Sequence, residues 1–328
     1  MTLEPESDVR PCICCGSRSF TRVRRYRNES AAGRRLFRGA AIDRCSECGL
    51  CQLRPVPDDA QLAAYYAADY RAGRRYGSDA SNPATFPLDN IFFFHRGRSV
   101  TALLRSHLHG AEPPKTILDI GAGYGHVLHA LSEAFPAARC FAQEYSEPCI
   151  AHLRAVGIEV IVGPLERVLD SLPPLDLVVS THVVEHLRRP VTTLEMARAH
   201  MNPRGTLFVE VPHMGAELLR GYPDSPWAPR HDEPHVSFFD AASLSRVLTG
   251  AGFVPTYVDT AGPMYTPISA VRYHLPPLLP TVRRLVPRAV MGRLRRTGST
   301  HATLEHLAPA FDAYGGNRIW LRSVSRLA

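Results

Sequence analysis

The sequence predicts an α/β fold: a parallel sheet covered by helices on both faces, preceded by a small cysteine-framed unit. Three observations predict it. From Pro113 onward, near-continuous apolar segments of strand length alternate with segments of helical period, the pattern of strands buried on both faces by crossover helices. The first of these strands runs into "DIGAGYG", a glycine-rich turn that opens a helix. Six of the eight cysteines fall within residues 12 to 51 in short paired spacings, which in a cytosolic chain favours a metal site over disulfides.

The elements follow in order. Residues 1–56 form the cysteine unit. Residues 57–112 form a connector in which "DDAQLAAYYAADY" and "FFFHRGRSVTALLRSHL" have helical spacing on either side of a Gly/Ser/Asn/Pro loop. Residues 113–328 form the α/β domain. There "KTILDI" is a buried strand, "HVLHALSEAF" a helix, and "RCFAQEY" a second strand reaching Glu144. "EPCIAHLRAVG" reads as helix, "EVIVG" as strand, "PLDLVVSTHVVEHL" as strand running into loop, "VTTLEMARAHM" as helix and "GTLFVEVPH" as strand. "AASLSRVLTGAGF" (helix) and "VPTYVDT" (strand) come next, then an Arg- and Pro-rich insert at 262–316 and a last strand, "RIWLRSVS".

At 328 residues and 45% apolar content, the chain can bury one large core with a smaller module attached. It holds no run of about 18 uncharged apolar residues, and its first residues are acidic and polar where a secretory signal would be basic and then apolar. A soluble, cytoplasmic protein is expected. Of the net charge of +7, much sits in residues 262–328, where 10 Arg face 2 acids. Lys115 is the only lysine, so the arginine richness reads as a compositional bias and argues weakly for nucleic acid. The basic, amphipathic insert is either a solvated face or a surface for a phosphate-bearing substrate, an acidic carrier protein or a membrane.

"DIGAGYG" places Gly121, Gly123 and Gly125 between strand and helix, where missing side chains let a ligand approach the backbone at the carboxyl edge of the sheet. Glu144 follows Gly123 by 21 residues at the end of the next strand, the place of a carboxylate that accepts from ribose hydroxyls. A nicotinamide enzyme shares these features, but its usual spacing is G-x-G-x-x-G, whereas this chain has G-x-G-x-G.

"CICCG" and "CSECG" each contain C-x-x-C-G. Two such knuckles supply four thiolates for a tetrahedral ion, and the glycine after each second cysteine permits a turn whose amides face sulfur. Cys12, Cys15, Cys45 and Cys48 are the expected zinc ligands, with Cys14 able to replace Cys12 and Cys51 spare. A closed four-cysteine site is structural, since no position stays open for water. Cys140 and Cys149 read as small buried hydrophobes.

In "HDEPHVSFF", Glu233 and His235 stand before an apolar run read as packing. His235 is either a base or substrate contact near neutral pH, or a structural hydrogen-bonding group. His231 and Asp232 read as solvated loop charges. A second metal site there would need three or four converging ligands and is not expected. Tyr65, Tyr66, Tyr70 and Tyr76, with "FFFHR", line a lid or simply pack.

Taken together, "ILDIGAGYG", Glu144, "DLVVSTHVVEHLRRP", "GTLFVEVPH" and "HVSFFDAASLSRVLTGAGF" resemble the class I S-adenosylmethionine (SAM)-dependent methyltransferases from about residue 113 to the end. The resemblance implies a Rossmann-like seven-stranded sheet whose last strand is antiparallel. It also implies that Asp119, Gly121 and Gly123 contact the methionine half of SAM, Glu144 the ribose, and Pro164 and Leu165 the adenine. Ser180, Thr181 and His182 would then line the pocket near the sulfonium, Glu185 would cap the turn that follows, and His182 or His186 would touch ligand.

The two knuckles with "LRPVPDDAQLAAYYAADY" resemble the zinc-containing small-molecule methyltransferases, among them the sugar-nucleotide C-methyltransferases. That likeness implies that the zinc module and connector close over the acceptor. Those enzymes carry a tyrosine, a glutamate and a histidine after the fifth strand of the domain. This chain keeps Glu233 and His235 but has Pro234 between them and no tyrosine.

The implied activity is methyl transfer to a carbon or oxygen of a small metabolite, a sugar-nucleotide or natural-product intermediate. His235, Glu233 and His182 are its candidate acid/base groups. An RNA methyltransferase gripping nucleic acid with a zinc ribbon is an alternative, against which "STHVVEH" lacks the N/D-P-P-Y type sequence of base-amino methylation. A SAM-binding protein without catalysis is a third.

Overall fold

The computed structural model describes residues 10–26, 30–69, 91–214, 234–261 and 320–328. The N-terminal unit contributes three antiparallel strands, β1 (Phe20–Arg25), β2 (Ala41–Cys45) and β3 (Cys51–Arg54). Between the first two lies α1 (Ala31–Leu36), whose cap Ser30 accepts a hydrogen bond from the Gly33 amide at 2.8 Å. α2 (Asp59–Ala64) begins with a reciprocal cap: the Asp58 side chain accepts from the Gln61 amide, and the Gln61 side chain accepts from the Asp58 amide. It runs into a π-helical turn at Tyr65–Asp69, a backbone feature often found at functional sites. α3 (Ile91–His107) follows.

The second unit alternates as its hydrophobic pattern requires: β4 (Thr116–Ile120), α4 (His126–Ala134), β5 (Arg139–Glu144), α5 (Glu147–Ala155), β6 (Glu159–Val162), α6 (Leu165–Val168), β7 (Leu175–Thr181), α7 (Pro190–Ala199) and β8 (Met201–Pro212). Then come β9 (Ser237–Phe238), α8 (Ala241–Gly250), β10 (Phe253–Ala261) and β11 (Trp320–Leu327). The large sheet has the order β10-β11-β8-β7-β4-β5-β6. Every pairing from β8 across to β6 is parallel, and β11 runs antiparallel to both of its neighbours. All seven expected strands form, with the antiparallel last strand.

Both faces of this sheet are buried, and the side chains alternate between them. Leu118, Ile120, Val178, Leu207 and Val209 pack in one apolar cluster. Their neighbours Ile117, Leu177, Val179 and Phe208 pack in another, with Val100 and Leu104 of α3. Strand order reverses between β5–β4 and β7–β8, so the carboxyl ends of β4 and β7 border the crevice where α/β sheets bind ligands. Among the described residues no helix is long and apolar enough to cross a membrane.

The apolar run after His235 does more than pack. Ser237 and Phe238 pair with Gln52 and Cys51, so β9 is the fourth strand of the N-terminal sheet, in the order β1-β2-β3-β9. One residue earlier, Val236 accepts from the Leu53 amide at 3.0 Å and donates to the Glu185 carbonyl at 2.8 Å. Residues 234–239 are therefore a strap between the two sheets. Cys12, Cys45 and Leu50 share an apolar cluster with Leu118 and Leu244, so the cysteine unit and the α/β unit have a common core.

Candidate active site and metal centre

At the end of β4 the chain needs three left-handed residues in quick succession, and Gly121, Gly123 and Gly125 supply them at φ 66°, 59° and 73°. Gly121 is constrained twice, because a Cβ there would also collide with Cγ2 of Val183. Beneath this loop sits Asp119, 1% exposed, and neither carboxylate oxygen has a hydrogen-bond partner. Burial pushes its carboxyl up to about 8, with Arg96 opposing the shift and Glu144 adding to it. A buried carboxyl without a donor is costly by itself. It suits a ligand that brings a cation or N–H donors, and the methionine ammonium group of SAM is such a ligand.

Glu144, at the end of β5, is held by three backbone amides. Gly123 donates to Oε2 at 2.6 Å, and Tyr145 and Ser146 donate to Oε1 at 2.7 and 2.9 Å. A carboxylate has about four acceptor sites, so a ribose hydroxyl can take the one that remains. The Glu144–Gly123 bond also ties the glycine loop to β5. Pro164 occupies the N-cap position of the short α6 without a side-chain hydrogen bond, and Leu165 is buried in the cluster that holds Ile120 and Phe141.

Ser180 and Thr181 end β7, in register with Val209 and Glu210 of β8. His182 follows with a left-handed φ of 55°, uncommon for a residue with a side chain. Its amide donates to the Glu210 carbonyl at 2.8 Å. Its ring lies between two buried carboxylates: Nδ1 is 3.3 Å from Glu185 Oε1, and Nε2 is 3.4 Å from Glu210 Oε1. Glu210 also accepts from Arg96 Nε at 2.6 Å and Arg322 Nε at 2.5 Å. Against its complete burial, the two guanidinium groups hold its carboxyl far below the usual carboxylate range.

Glu185 does not cap the turn after it. Its carboxylate is 1% exposed, its oxygens make no hydrogen bond, and it faces three imidazoles. Beside His182 stand His186 and His235, each with Nε2 at 4.0 Å from Glu185 Oε1. Burial alone would raise the Glu185 carboxyl, but His182, His186 and His235 outweigh it and bring it down to about 2. The rings of His186 and His235 meet edge to face at 4.8 Å. From the connector, the Tyr66 hydroxyl donates to the Pro234 carbonyl at 2.8 Å and lies 2.8 Å from His186 Nδ1.

The structure thus gathers Asp119, Gly121, Gly123 and Glu144 at one place, and His182 and His235 around Glu185 at another. Glu233, His231, Asp232, Tyr70, Tyr76 and the insert at 262–316 lie outside the described residues. Tyr65 packs against Phe37, whereas Tyr66 reaches the histidines. Sequence reading named Tyr66 and "FFFHR", which ends on Arg96, only as lid or packing residues, and did not single out Glu210 or Arg322. The one available signal was the carboxylate of Glu210 inside the apolar strand "TLFVEVP".

In the cysteine unit, Cys12 and Cys48 bring their Sγ atoms to 3.5 Å, as do Cys15 and Cys45. All four sulfurs lie within 4.8 Å of one another. A disulfide would need about 2.05 Å. A zinc tetrahedron with bonds of about 2.3 Å has edges of about 3.8 Å, so the donor set fits the ion. Each knuckle closes as the C-x-x-C-G pattern predicts. The Gly16 amide donates to the Cys12 carbonyl at 2.8 Å and the Gly49 amide to the Cys45 carbonyl at 3.0 Å. Both glycines are left-handed. Burial opposes the Cys45 thiolate, but the Cys48 and Glu47 amides bring its thiol down to about 7.

A family model described as "Methyltransferase domain" matches residues 94–258. A malonyl-[acyl-carrier protein] O-methyltransferase of Methylococcus capsulatus is 28% identical over 228 residues, 66% of this chain and 81% of that protein. Among solved structures, the plantazolicin methyltransferase BpumL in complex with SAH has a TM-score of 0.49 at 15% identity, covering 81% of this chain and 93% of that one. The Burkholderia thailandensis 1,6-didemethyltoxoflavin-N1-methyltransferase, with bound 1,6-didemethyltoxoflavin and S-adenosylhomocysteine, has a TM-score of 0.48 at 16% identity, covering 89% of this chain and 96% of that one.

Proposed function

Because this chain belongs to the methyltransferase-domain family and is a SAM-dependent methyltransferase, we propose that it methylates an oxygen or carbon of a small metabolite in biosynthesis. When bound, SAM supplies an electrophilic methyl group on a sulfonium, open to in-line displacement. The buried, donor-less Asp119 under the left-handed glycine loop carries the cofactor half of this reading. Asp119, Gly121 and Gly123 hold the methionine moiety, and Glu144 takes a ribose hydroxyl. Pro164 and Leu165 flank the adenine, while Ser180 and Thr181 line the wall toward the sulfonium.

The imidazole–carboxylate cluster works on the acceptor. In this reading His235 and His182 orient a hydroxyl or acidic C–H and accept its proton, and Glu185 stabilises the imidazolium that results. Glu233 is assigned beside His235 from its place in the chain. The three parts of the chain, 1–56, 57–112 and 113–328, act together. The cysteine unit, built on structural zinc, and the connector close over the acceptor, a reading supported by the bond from Tyr66 to Pro234. Oxygen is favoured as the receiving atom because the Methylococcus capsulatus relative is named an O-methyltransferase. Its carrier-linked substrate also makes an acidic carrier protein a candidate partner for the basic insert at 262–316. Sugar-nucleotide and other natural-product intermediates are the further acceptors to test, in a cytoplasmic setting.

The test is S-adenosylhomocysteine release from SAM with a panel of free, nucleotide-linked and carrier-linked acceptors. Turnover on at least one class is expected, and His235→Ala should cut turnover with unchanged S-adenosylhomocysteine affinity by calorimetry. Affinity unaffected by Glu144→Ala would contradict the ribose role. No turnover on any class despite tight S-adenosylhomocysteine binding would favour a non-catalytic protein.

A further inference from the structure

Apart from the cysteine centre, one further set of metal-ligating side chains converges among the described residues: Glu185, His186 and His235, with one donor atom of each within 4.8 Å of the others. Glu185 is nine-tenths buried and more, and neither of its oxygens has a hydrogen-bond partner. The Nε2 atoms of His186 and His235 stand 4.0 Å from its Oε1. That distance is too long for a hydrogen bond. It is about half an ångström longer than the edge of about 3.4 Å between two ligands bonded at about 2.1 Å to one tetrahedral cation, so a small closing shift of the side chains would complete the set.

The far side of His186 agrees. Its Nδ1 is 3.0 Å from the Pro234 carbonyl oxygen, which can only accept, so the contact is satisfied when Nδ1 carries the proton. Nε2 then turns a lone pair toward the carboxylate, and two facing acceptors are satisfied by a proton or a metal ion between them. A ligating imidazole whose other nitrogen is bonded to a carbonyl is the usual second layer of a metal site. Two imidazoles and one carboxylate, with positions left open, form the donor set of catalytic divalent transition metals rather than of closed structural ones.

We propose that Glu185, His186 and His235 bind a divalent first-row transition-metal ion, distinct from the four-cysteine centre. His182 faces the Glu185 carboxylate with Nδ1 at 3.3 Å and is not one of the ligands. For the reaction, and resting there on the methyl-transfer reading, the ion would bind the acceptor's oxygen and lower its pKa, the proton passing to His182, while His235 acts as a ligand of the ion rather than as the base. This points to hydroxyl, carboxyl or enolisable acceptors. Counting ligands along "HDEPHVSFF" alone missed the site because two of the three ligands come from the turn after β7.

The full-length chain, carrying one equivalent of zinc to fill the tighter thiolate site, is titrated with Co2+ and followed by visible absorption and calorimetry. One further saturable equivalent is expected, with d–d bands and without thiolate-to-metal charge transfer. Glu185→Gln and His235→Ala should each weaken it at least about tenfold. Absence of saturable Co2+ binding to the wild type overturns the proposal, an outcome that needs no variant to fold. So does unchanged Co2+ affinity in both variants, checked for folding by circular dichroism. A chain that binds Co2+ here but transfers no methyl group would refute the methyl-transfer reading and leave the site standing.

Discussion

Asp119 and Glu210 show how opposite treatments of a buried carboxylate serve one site. Asp119 has no donor and its folded pKa is about 8 against an ordinary 3.8. Between those values the folded chain keeps a proton that the unfolded chain has lost. The resulting contribution to stability is complete below about pH 4 and is lost as pH rises through about 8. Asp119→Asn should therefore raise the urea midpoint over that of the wild type much more at pH 9 than at pH 5. It should also bind S-adenosylhomocysteine about tenfold or more weakly, the loss of a charge-assisted hydrogen bond. Parallel urea midpoints at the two pH values would count against the buried proton. Glu210 has the reverse arrangement, with two guanidinium groups on one carboxylate. Glu210→Gln should cost about 3–5 kcal/mol in urea unfolding, because it leaves buried cations uncompensated. Asp119, Gly121, Gly123 and Glu144 were legible in the sequence because one strand–turn–helix motif and the next strand end define them. The partners of Arg96, Arg322 and Tyr66 were not, since they lie 112 to 120 residues away along the chain and pairing at that distance leaves no local pattern.

The glycine turn and β9 differ in how far their sequences announce them. Gly121 must be glycine for its φ of 66° and for Val183. Gly121→Ala should abolish S-adenosylhomocysteine binding measured by calorimetry, and retained affinity would show that the loop can shift. β9 spans only two residues and carries no periodicity of its own. What makes it a strand is pairing with β3, and what holds it is burial of Phe238 with Ile42, Cys51 and Met214. Phe238→Ala should cost about 3–5 kcal/mol in urea unfolding. Because the strap carries His235, methyl transfer should fall further than S-adenosylhomocysteine affinity. Equal losses in both would mean that the strap supports the whole domain rather than the acceptor side. The helices and strands of the α/β domain could be read directly because each buries a face with its own period. β1, with three arginines in "FTRVRR", could not.

The two sheets are joined through the cysteine unit, the strap and the turn after β7. Since β9 belongs to the sheet that the knuckles stabilise, removing the zinc assigned to Cys12, Cys15, Cys45 and Cys48 should loosen the acceptor side first. Chelation, followed by zinc content, S-adenosylhomocysteine calorimetry and turnover, is expected to show methyl transfer lost while most cofactor affinity persists. Simultaneous loss of both would place the ion's influence on the common core instead. The sequence by itself determined the seven-stranded α/β sheet, the glycine loop, the Glu144 strand end and the two cysteine knuckles. Periodicity, turn chemistry and ligand spacing act within one or two neighbouring elements, so these features are written along the chain. Only the tertiary structure decided that His235 faces Glu185, that Tyr66 reaches His186, and that two imidazoles and a carboxylate converge. Those relations depend on close contacts between side chains, which form only when strand pairing brings remote segments of the chain together.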